Sequence, residues 1–272
     1  MKLKTNFLAA LALAVFPVVA LAQFTDTFST IDPLWVPNRY APAGFASVTF
    51  DGDSRLQLTI DSTGSAANRD ATFGSALYNT QGRQRPGDIT GLWTLSAQVF
   101  ISSAFIPVTD PLLPLVPLVR SDLWGHSGTT PDGGAYMILG FTNASPTDAF
   151  NPLAADRAFR FRAFDVNTGN WFDLGVPDGF VFDAWHLLTG TSTGTTFEYR
   201  IDGALVLTES TADGSDLLSA MIQGYNFNAA DGYSVYWDNV TASAIPEPSA
   251  GALTAALAAL GLAVWRRRRA AN

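Results

Sequence analysis

Among the residues that could do chemistry near neutral pH, this 272-residue chain has two histidines, three glutamates and 21 aspartates, and it has no cysteine. His126 sits in Trp124-Gly125-His126-Ser127-Gly128, which reads as a loop of aromatic and small residues. His186 follows Trp185 in a strand, where a hydrogen-bonded structural role accounts for it. A Ser-His-Asp arrangement would need one of these beside an activated serine, and no G-x-S-x-G elbow is present. Two imidazoles fall short of a catalytic zinc set, and without cysteine the chain cannot build thiolate nucleophiles, zinc–thiolate sites or iron–sulfur clusters. A pair of aspartates could serve hydrolysis, but no spacing marks one pair among the 21.

Sugar recognition asks for aromatic faces with a few planar hydrogen-bonding groups beside them. Trp35, Trp124, Trp171, Tyr136 and Tyr225 supply faces, with Asn79, Asn170, Asn226 and Asn228 near some of them. Most large aromatics of a sandwich this size fill its core. Trp124 and His126 in their Gly-rich segment, and Asn170 and Trp171 after Asp165-Val166-Asn167-Thr168-Gly169, are the better ligand-binding candidates. Calcium is the one metal these residues suit. Asp51-Gly52-Asp53 and Asp165-Val166-Asn167 put oxygen ligands in turns, although neither is a twelve-residue EF-hand loop and both are explained as hairpin connections.

The elements that must position these residues read as strands. Six Asp-Gly pairs, at 51–52, 132–133, 178–179, 202–203, 213–214 and 231–232, suit tight turns with positive φ. Leu56, Leu58 and Ile60 alternate, as do Trp93, Leu95, Ala97, Val99 and Ile101. Phe159, Phe161 and Ala163 point one way with Arg160 and Arg162 opposite. Phe197, Tyr199 and Ile201 enter the Asp202-Gly203 turn and Leu205 and Leu207 leave it. Met221, Gln223, Tyr225 and Phe227 form a further strand, and Tyr233–Ala242 the last. About a dozen strands predict an all-β fold of two packed antiparallel sheets. Pro107, Pro111, Pro114 and Pro117 keep 106–119 out of any ladder, leaving a loop over the sandwich or an exposed apolar docking segment.

Both ends read as addresses. Lys2 and Lys4, the apolar stretch Phe7–Ala20 and Ala20-Leu21-Ala22 have the layout of an export signal over 1–22. At the other end Pro246-Glu247-Pro248 precedes an uncharged run over 250–265, then Arg266, Arg267, Arg268 and Arg269. At ~1.5 Å per residue that run reaches roughly 24 Å as a helix, close to a ~30 Å hydrocarbon core. The arginines predict a cytoplasmic end, with the rest of the chain outside. Between the addresses, 23–244 suits one domain. Its ten arginines face 23 acids, a net charge of −13 with no lysine. That charge argues against nucleic acid, and against binding anionic lipid or acidic polysaccharide by charge alone.

The tail, with its Pro246-Glu247-Pro248, apolar helix and arginine cluster, resembles the PEP-CTERM sorting signal. The resemblance implies passage through the inner membrane, processing by an exosortase, and delivery to the cell surface or exopolysaccharide matrix; an ordinary C-terminal anchor is the plainer alternative. The domain is similar to the concanavalin A-like lectin/glucanase superfamily, including LamG-like domains. The likeness rests on Asp26-Thr27-Phe28, Trp35, Trp185-His186, the Asp202-Gly203 hairpin and the closing Tyr236-Trp237-Asp238-Asn239-Val240. It implies a two-sheet antiparallel jelly-roll sandwich. The laminarinase-type hydrolases of that superfamily carry E-x-D-x-x-E on one strand, and neither Glu198 nor Glu209 begins that motif. The resulting expectation is a non-catalytic exported surface or matrix protein, with a lectin-like carbohydrate-binding module as the alternative and a glycoside hydrolase with an Asp-based site as the third reading.

Overall fold

The computed structural model describes residues 22–61, 80–108, 113–128, 134–211, 213–227 and 232–246, together with Arg266, Arg267 and Arg269. The described part of the domain is all-β. Its strands are β1 (Ala22–Asp26), β2 (Val36–Arg39), β3 (Gly44–Phe50), β4 (Asp53–Ile60), β5 (Thr80–Ile89), β6 (Trp93–Ile101), β7 (Arg120–Ser127) and β8 (Ala135–Thr142). They continue with β9 (Arg160–Phe164), β10 (Trp171–Gly175), β11 (Ala184–Ser192), β12 (Thr196–Ile201), β13 (Ala204–Ser210), β14 (Leu217–Tyr225) and β15 (Tyr233–Ala244).

Two sheets result. One runs β13-β12-β11-β6-β15-β4-β3 with β1 added beside β15; the other runs β10-β9-β8-β7-β14-β5-β2. Their strand pairs are antiparallel. Alternation decides which side chains meet between them. Trp93, Leu95, Ala97, Val99 and Ile101 of β6 are fully buried, and Leu123, Met137, Leu139, Phe141, Phe161 and Ile222 face them from the second sheet. Each such large apolar side chain contributes ~1.5–3 kcal/mol on burial.

Two of the six Asp-Gly pairs make the tight hairpins expected of them. Asp51 and Gly52 (φ 53° and 79°) join β3 to β4, and Asp202 and Gly203 (φ 51° and 82°) join β12 to β13. Gly179 (φ 80°) instead closes a loop turn in which the Phe180 N–H donates to the Pro177 carbonyl at 3.1 Å. Asp213-Gly214 lies in the irregular approach to β14, and the remaining two pairs fall wholly or partly outside the described residues.

The motifs behind the superfamily likeness act as fasteners. One Asp26 oxygen accepts from the Phe28 N–H at 2.8 Å and the other from the Trp35 indole at 2.7 Å, which sets Phe28, Trp35 and Phe45 against one another. Asn239 (φ 49°) sits in an irregularity of the β15–β6 ladder, where its amide donates to Gln98 at 2.7 Å and to Asp238 at 2.9 Å. Asp238 is fully buried and ion-paired to Arg55.

Strand β15 also ties the sheets together. The Tyr233 hydroxyl lies 2.6 Å from the Arg120 carbonyl and 2.9 Å from the Tyr225 carbonyl, and accepts from the Tyr225 N–H at 2.9 Å and the Arg120 N–H at 3.3 Å. Burial pushes its pKa upward, so it stays a phenol. Four residues on, the Trp237 indole donates to the Ser121 hydroxyl at 3.1 Å.

Several expected boundaries shift. β15 runs two residues past Ala242, and Phe159 and Phe227 lie just outside β9 and β14. The proline-rich segment is irregular where described. The Asn143 amide donates to the Phe105 and Pro117 carbonyls, and one Arg157 nitrogen donates to those of Val116 and Pro117. The export signal up to Leu21, together with Glu247, Pro248, the run 250–265 and Arg268, lies outside the described residues. Arg266, Arg267 and Arg269 are helical and exposed, and among the described residues no helix is long and apolar enough to cross a membrane.

Replacing Tyr233 by Phe leaves polar backbone groups of β7 and β14 without their partner. The expected loss is about 1–3 kcal/mol of unfolding free energy. Urea unfolding of the variant against the parent chain, with the slope unchanged, checks it.

Candidate functional site

The polar groups collect on the outer face of the seven-stranded sheet, and β7 sets them there. This strand contains the Trp124–Ser127 stretch that the sequence suggested was a loop. The pairing with β8 and β14 is continuous through Trp124, Gly125 and His126. Arg120, Asp122, Trp124 and His126 share the outer face, and Leu123 and Gly125 face the core. A Cβ on Gly125 would lie 2.8 Å from the Trp93 ring, so glycine is there for packing and not for a turn.

Asp122 is the centre of the face and is fully buried. Its neighbours across the ladders are Gly140 of β8 and Gln223 of β14. A side chain at 140 would put its Cβ 2.3 Å from an Asp122 oxygen, so Gly140 supplies the room for the carboxylate. Arg120 Nε donates to Asp122 at 2.5 Å, and an Arg162 terminal nitrogen lies 3.4 Å from each Asp122 oxygen. Burial, aided by the nearby Arg120 charge, pushes the Arg162 guanidinium down to about 9, and Asp122 opposes that shift. The Trp171 ring of the edge strand β10 covers both, 3.6 Å from the Arg162 guanidinium carbon and 4.6 Å from that of Arg120. Tyr225 faces Arg120 at 5.0 Å.

Beside this cluster opens a cleft of about 330 Å³, walled by Arg160, Phe150, Trp171, Tyr225, Phe227 and Thr142, with Arg120 and Arg162 at its base. Among the described residues no acidic side chain lines it. Arg160 pairs with Asp173 at 3.2 Å and donates to the Ala144 carbonyl. A more open depression of about 490 Å³ lies around β1, but its charges satisfy one another, with Arg85 3.7 Å from Asp26 and 3.4 Å from Asp32. The smaller cleft has the aromatic walls and polar base of a small-ligand site.

Of the four ligand-binding candidates, Trp171 lines this cleft and Trp124 packs in the same outer-face cluster. Trp124 is only 3 % exposed, set among Ile138 and Met221 with the Arg39 guanidinium 5.2 Å from its ring. It is a filler of the outer face, not an open platform. His126 is buried and stacks on Tyr136 at 4.5 Å. Asn170 is exposed in the turn before β10, where its carbonyl accepts from the Asp165 N–H at 2.9 Å. Asn79 and Asn228 lie outside the described residues. His186 is held between Asp202 at 2.7 Å and the Val181 carbonyl at 2.8 Å, the structural role expected of it.

The calcium candidates are engaged in their turns. Asp51 accepts from the Trp185 indole at 3.1 Å, and Asp53 lies 3.6 Å from Arg55. Asp165 accepts the Asn167 and Thr168 N–H groups and the Thr168 hydroxyl, while the Asn167 amide donates to the Ser210 carbonyl. Among the described residues no three His, Asp or Glu side chains gather as a metal site.

Sequence reasoning missed Arg120, Asp122 and Arg162 as a unit. Arg160 and Arg162 stood out as the polar side of a strand, but the matching alternation of Arg120, Asp122, Trp124 and His126 was hidden by the small residues between them.

The comparisons with known proteins bear on the fold. No protein-family model matches the chain, and no curated protein matches it. Among solved structures, it is similar to a Bacteroides ovatus GH16 protein of a mixed linkage glucan PUL in complex with a G4G4G3G product. That match has 11% identity, covers 80% of this chain and 99% of the other, and has a TM-score of 0.52. It is also similar to a glycoside hydrolase family 16 endo-glucanase from Bacteroides ovatus, at 11% identity, 80% and 99% coverage and a TM-score of 0.51. The fold is a jelly-roll sandwich of that kind. The expectation of a non-catalytic surface or matrix protein is thereby corrected. These structures show that the architecture is one on which endo-glucanases are built, and the missing E-x-D-x-x-E strand is no ground for denying the chain an activity.

Glu209 lies behind the Asp165 turn, accepting from the Val166 N–H at 2.6 Å and the Tyr199 hydroxyl at 3.1 Å. Burial raises its pKa from 4.5 to about 6. Its protonated form therefore supports the fold below pH 4.5, and that support is lost as pH rises through about 6. Melting temperature across that window should fall more for the parent chain than for Glu209→Gln, and parallel curves would refute the assignment.

Proposed function

We propose that the chain is a carbohydrate-active protein that holds a polysaccharide segment on the outer face of its seven-stranded sheet, in the cleft walled by Trp171, Tyr225 and Phe150. The observation that carries this reading is that cleft: three aromatic side chains beside buried, hydrogen-bonding charged groups, on one sheet face. Aromatic faces meet the C–H surfaces of a pyranose ring, and planar polar groups fix its hydroxyls. The match to solved structures named as an endo-glucanase and as a product-bound GH16 protein of a mixed linkage glucan PUL supports a glycan as ligand.

Glycoside hydrolysis in the same cleft is the second reading, favoured by that likeness and by a carboxylate, Asp122, at the centre of the face. A retaining mechanism places two carboxyl groups ~5–5.5 Å apart. Here the groups hydrogen-bonded to Asp122 are Arg120 and Arg162, so a hydrolytic role asks Asp122 to work from within an ion-paired cluster. Delivery outside the cell is part of the proposal as well, and the tail of Pro246, Glu247, Pro248 and four arginines supports an exosortase as processing partner.

Affinity electrophoresis of the full chain through a panel of soluble polysaccharides tests binding. At least one polymer should retard the parent chain, and Trp171→Ala should weaken that retardation about tenfold, the loss of a contact worth ~1.4 kcal/mol. A chain that passes every polymer unretarded sinks the reading. Reducing ends released from the retarding polymer would establish hydrolysis; their absence alongside Trp171-dependent binding leaves a binding protein. In cells, conversion of the full-length chain to a shorter form only when exosortase is present is the outcome expected of the tail, and an unchanged length refutes it.

A further inference from the structure

We infer that the cleft is built for a carboxylate, so that the polysaccharide it takes is an acidic one containing uronic-acid residues and not a neutral glucan; this rests on the glycan reading above. The domain between the terminal addresses carries a net charge of −13, yet three of its ten arginines, Arg120, Arg160 and Arg162, converge on one cleft that no acidic side chain lines among the described residues. The acids that offset them lie elsewhere. Asp122 is buried beneath the cleft, while Asp173, which pairs with Arg160, is half exposed and Asp156, whose charge also acts on Arg160, is exposed, where solvent and salt weaken their hold.

The pairing within the cluster is also incomplete. One terminal nitrogen of Arg120 and Nε of Arg162 are buried with no hydrogen-bond partner, and Arg120 as a whole is 5 % exposed. Those two nitrogens lie beneath the cleft surface, and a carboxylate is the group that complements the guanidinium charge gathered around them. Neutral hydroxyls would bring no charge to these guanidiniums. Trp171, Phe150 and Tyr225 supply the apolar walls for the pyranose that bears the carboxylate. The overall negative charge does not prevent this. Exposed charges more than a Debye length of ~10 Å away are screened at 0.1 M salt, whereas contacts inside a partly buried cleft are not.

The test titrates the full chain with a uronic-acid polymer, with the same polymer after chemical reduction of its carboxyl groups, and with a sulfated glycan. The charged uronate should bind at least about tenfold more tightly than its reduced form, as expected of charge-assisted bonds. Arg160→Gln, at the cleft wall, should erase that difference, and Arg160→Lys should restore part of it. Equal affinity for charged and reduced polymers overturns the carboxylate assignment, as does a sulfated glycan bound as tightly as the uronate. The comparison between polymers needs no variant, so a misfolded Arg160→Gln would not blunt it. If both polymers bind alike and Trp171→Ala abolishes both, the glycan reading survives and this inference falls. If neither polymer and no neutral glycan binds, both fall together.

Discussion

The hydroxyl of Tyr233 is the constraint on which the functional face depends. It belongs to the eight-stranded sheet, yet its partners are backbone groups of Arg120 and Tyr225, the residues that start β7 and end β14 in the other sheet. Trp237 repeats the connection four residues further along, through Ser121. Two side chains of one closing strand thereby fix the height and register of the two strands that carry Asp122, Arg120 and Tyr225. Sheet-on-sheet packing by apolar side chains has little directionality. These polar contacts supply direction, and they do so under the point where charge is concentrated.

That concentration of charge is the least ordinary property of the molecule. A carboxylate and two guanidiniums are taken out of water on a sheet face, which costs free energy that their mutual attraction offsets only with good geometry. Gly140 provides the space and Trp171 the cover. The net charge of the chain and the charge of its cleft are opposite in sign. An inference from composition about which polymers the chain avoids therefore describes its periphery and not its site.

Much of the fold was legible because it is written in local rules. Trp93 to Ile101 alternates without a break and forms β6, and Asp202-Gly203 takes the two positive φ angles a tight hairpin needs. Trp35 and Trp237 came out as core fasteners, as large aromatics of a sandwich should. The candidate site was far less legible. Trp124-Gly125-His126-Ser127-Gly128 read as a loop because glycine and serine signal turns, but in β7 they are small so that the Trp93 ring and the neighbouring strands can approach. Trp171, read as a ligand-binding candidate, lines the cleft. Its partners Arg120 and Arg162 are 51 and 9 residues away in sequence and meet it only through the order β10-β9-β8-β7. No local pattern encodes that order.

The position of Trp171 on β10 divides the cleft into parts of unequal stiffness. The floor belongs to β7 and β9, each laddered on both sides, and any displacement there must be shared by the whole sandwich. Among the described residues the wall that bears the indole has a neighbour on one side only, through a short ladder that is already irregular between Asp173 and Gly175. Widening the gap between wall and floor thus strains one short seam and leaves the core undisturbed. Ligands of different girth meet a rigid arrangement of charge and a compliant aromatic lip.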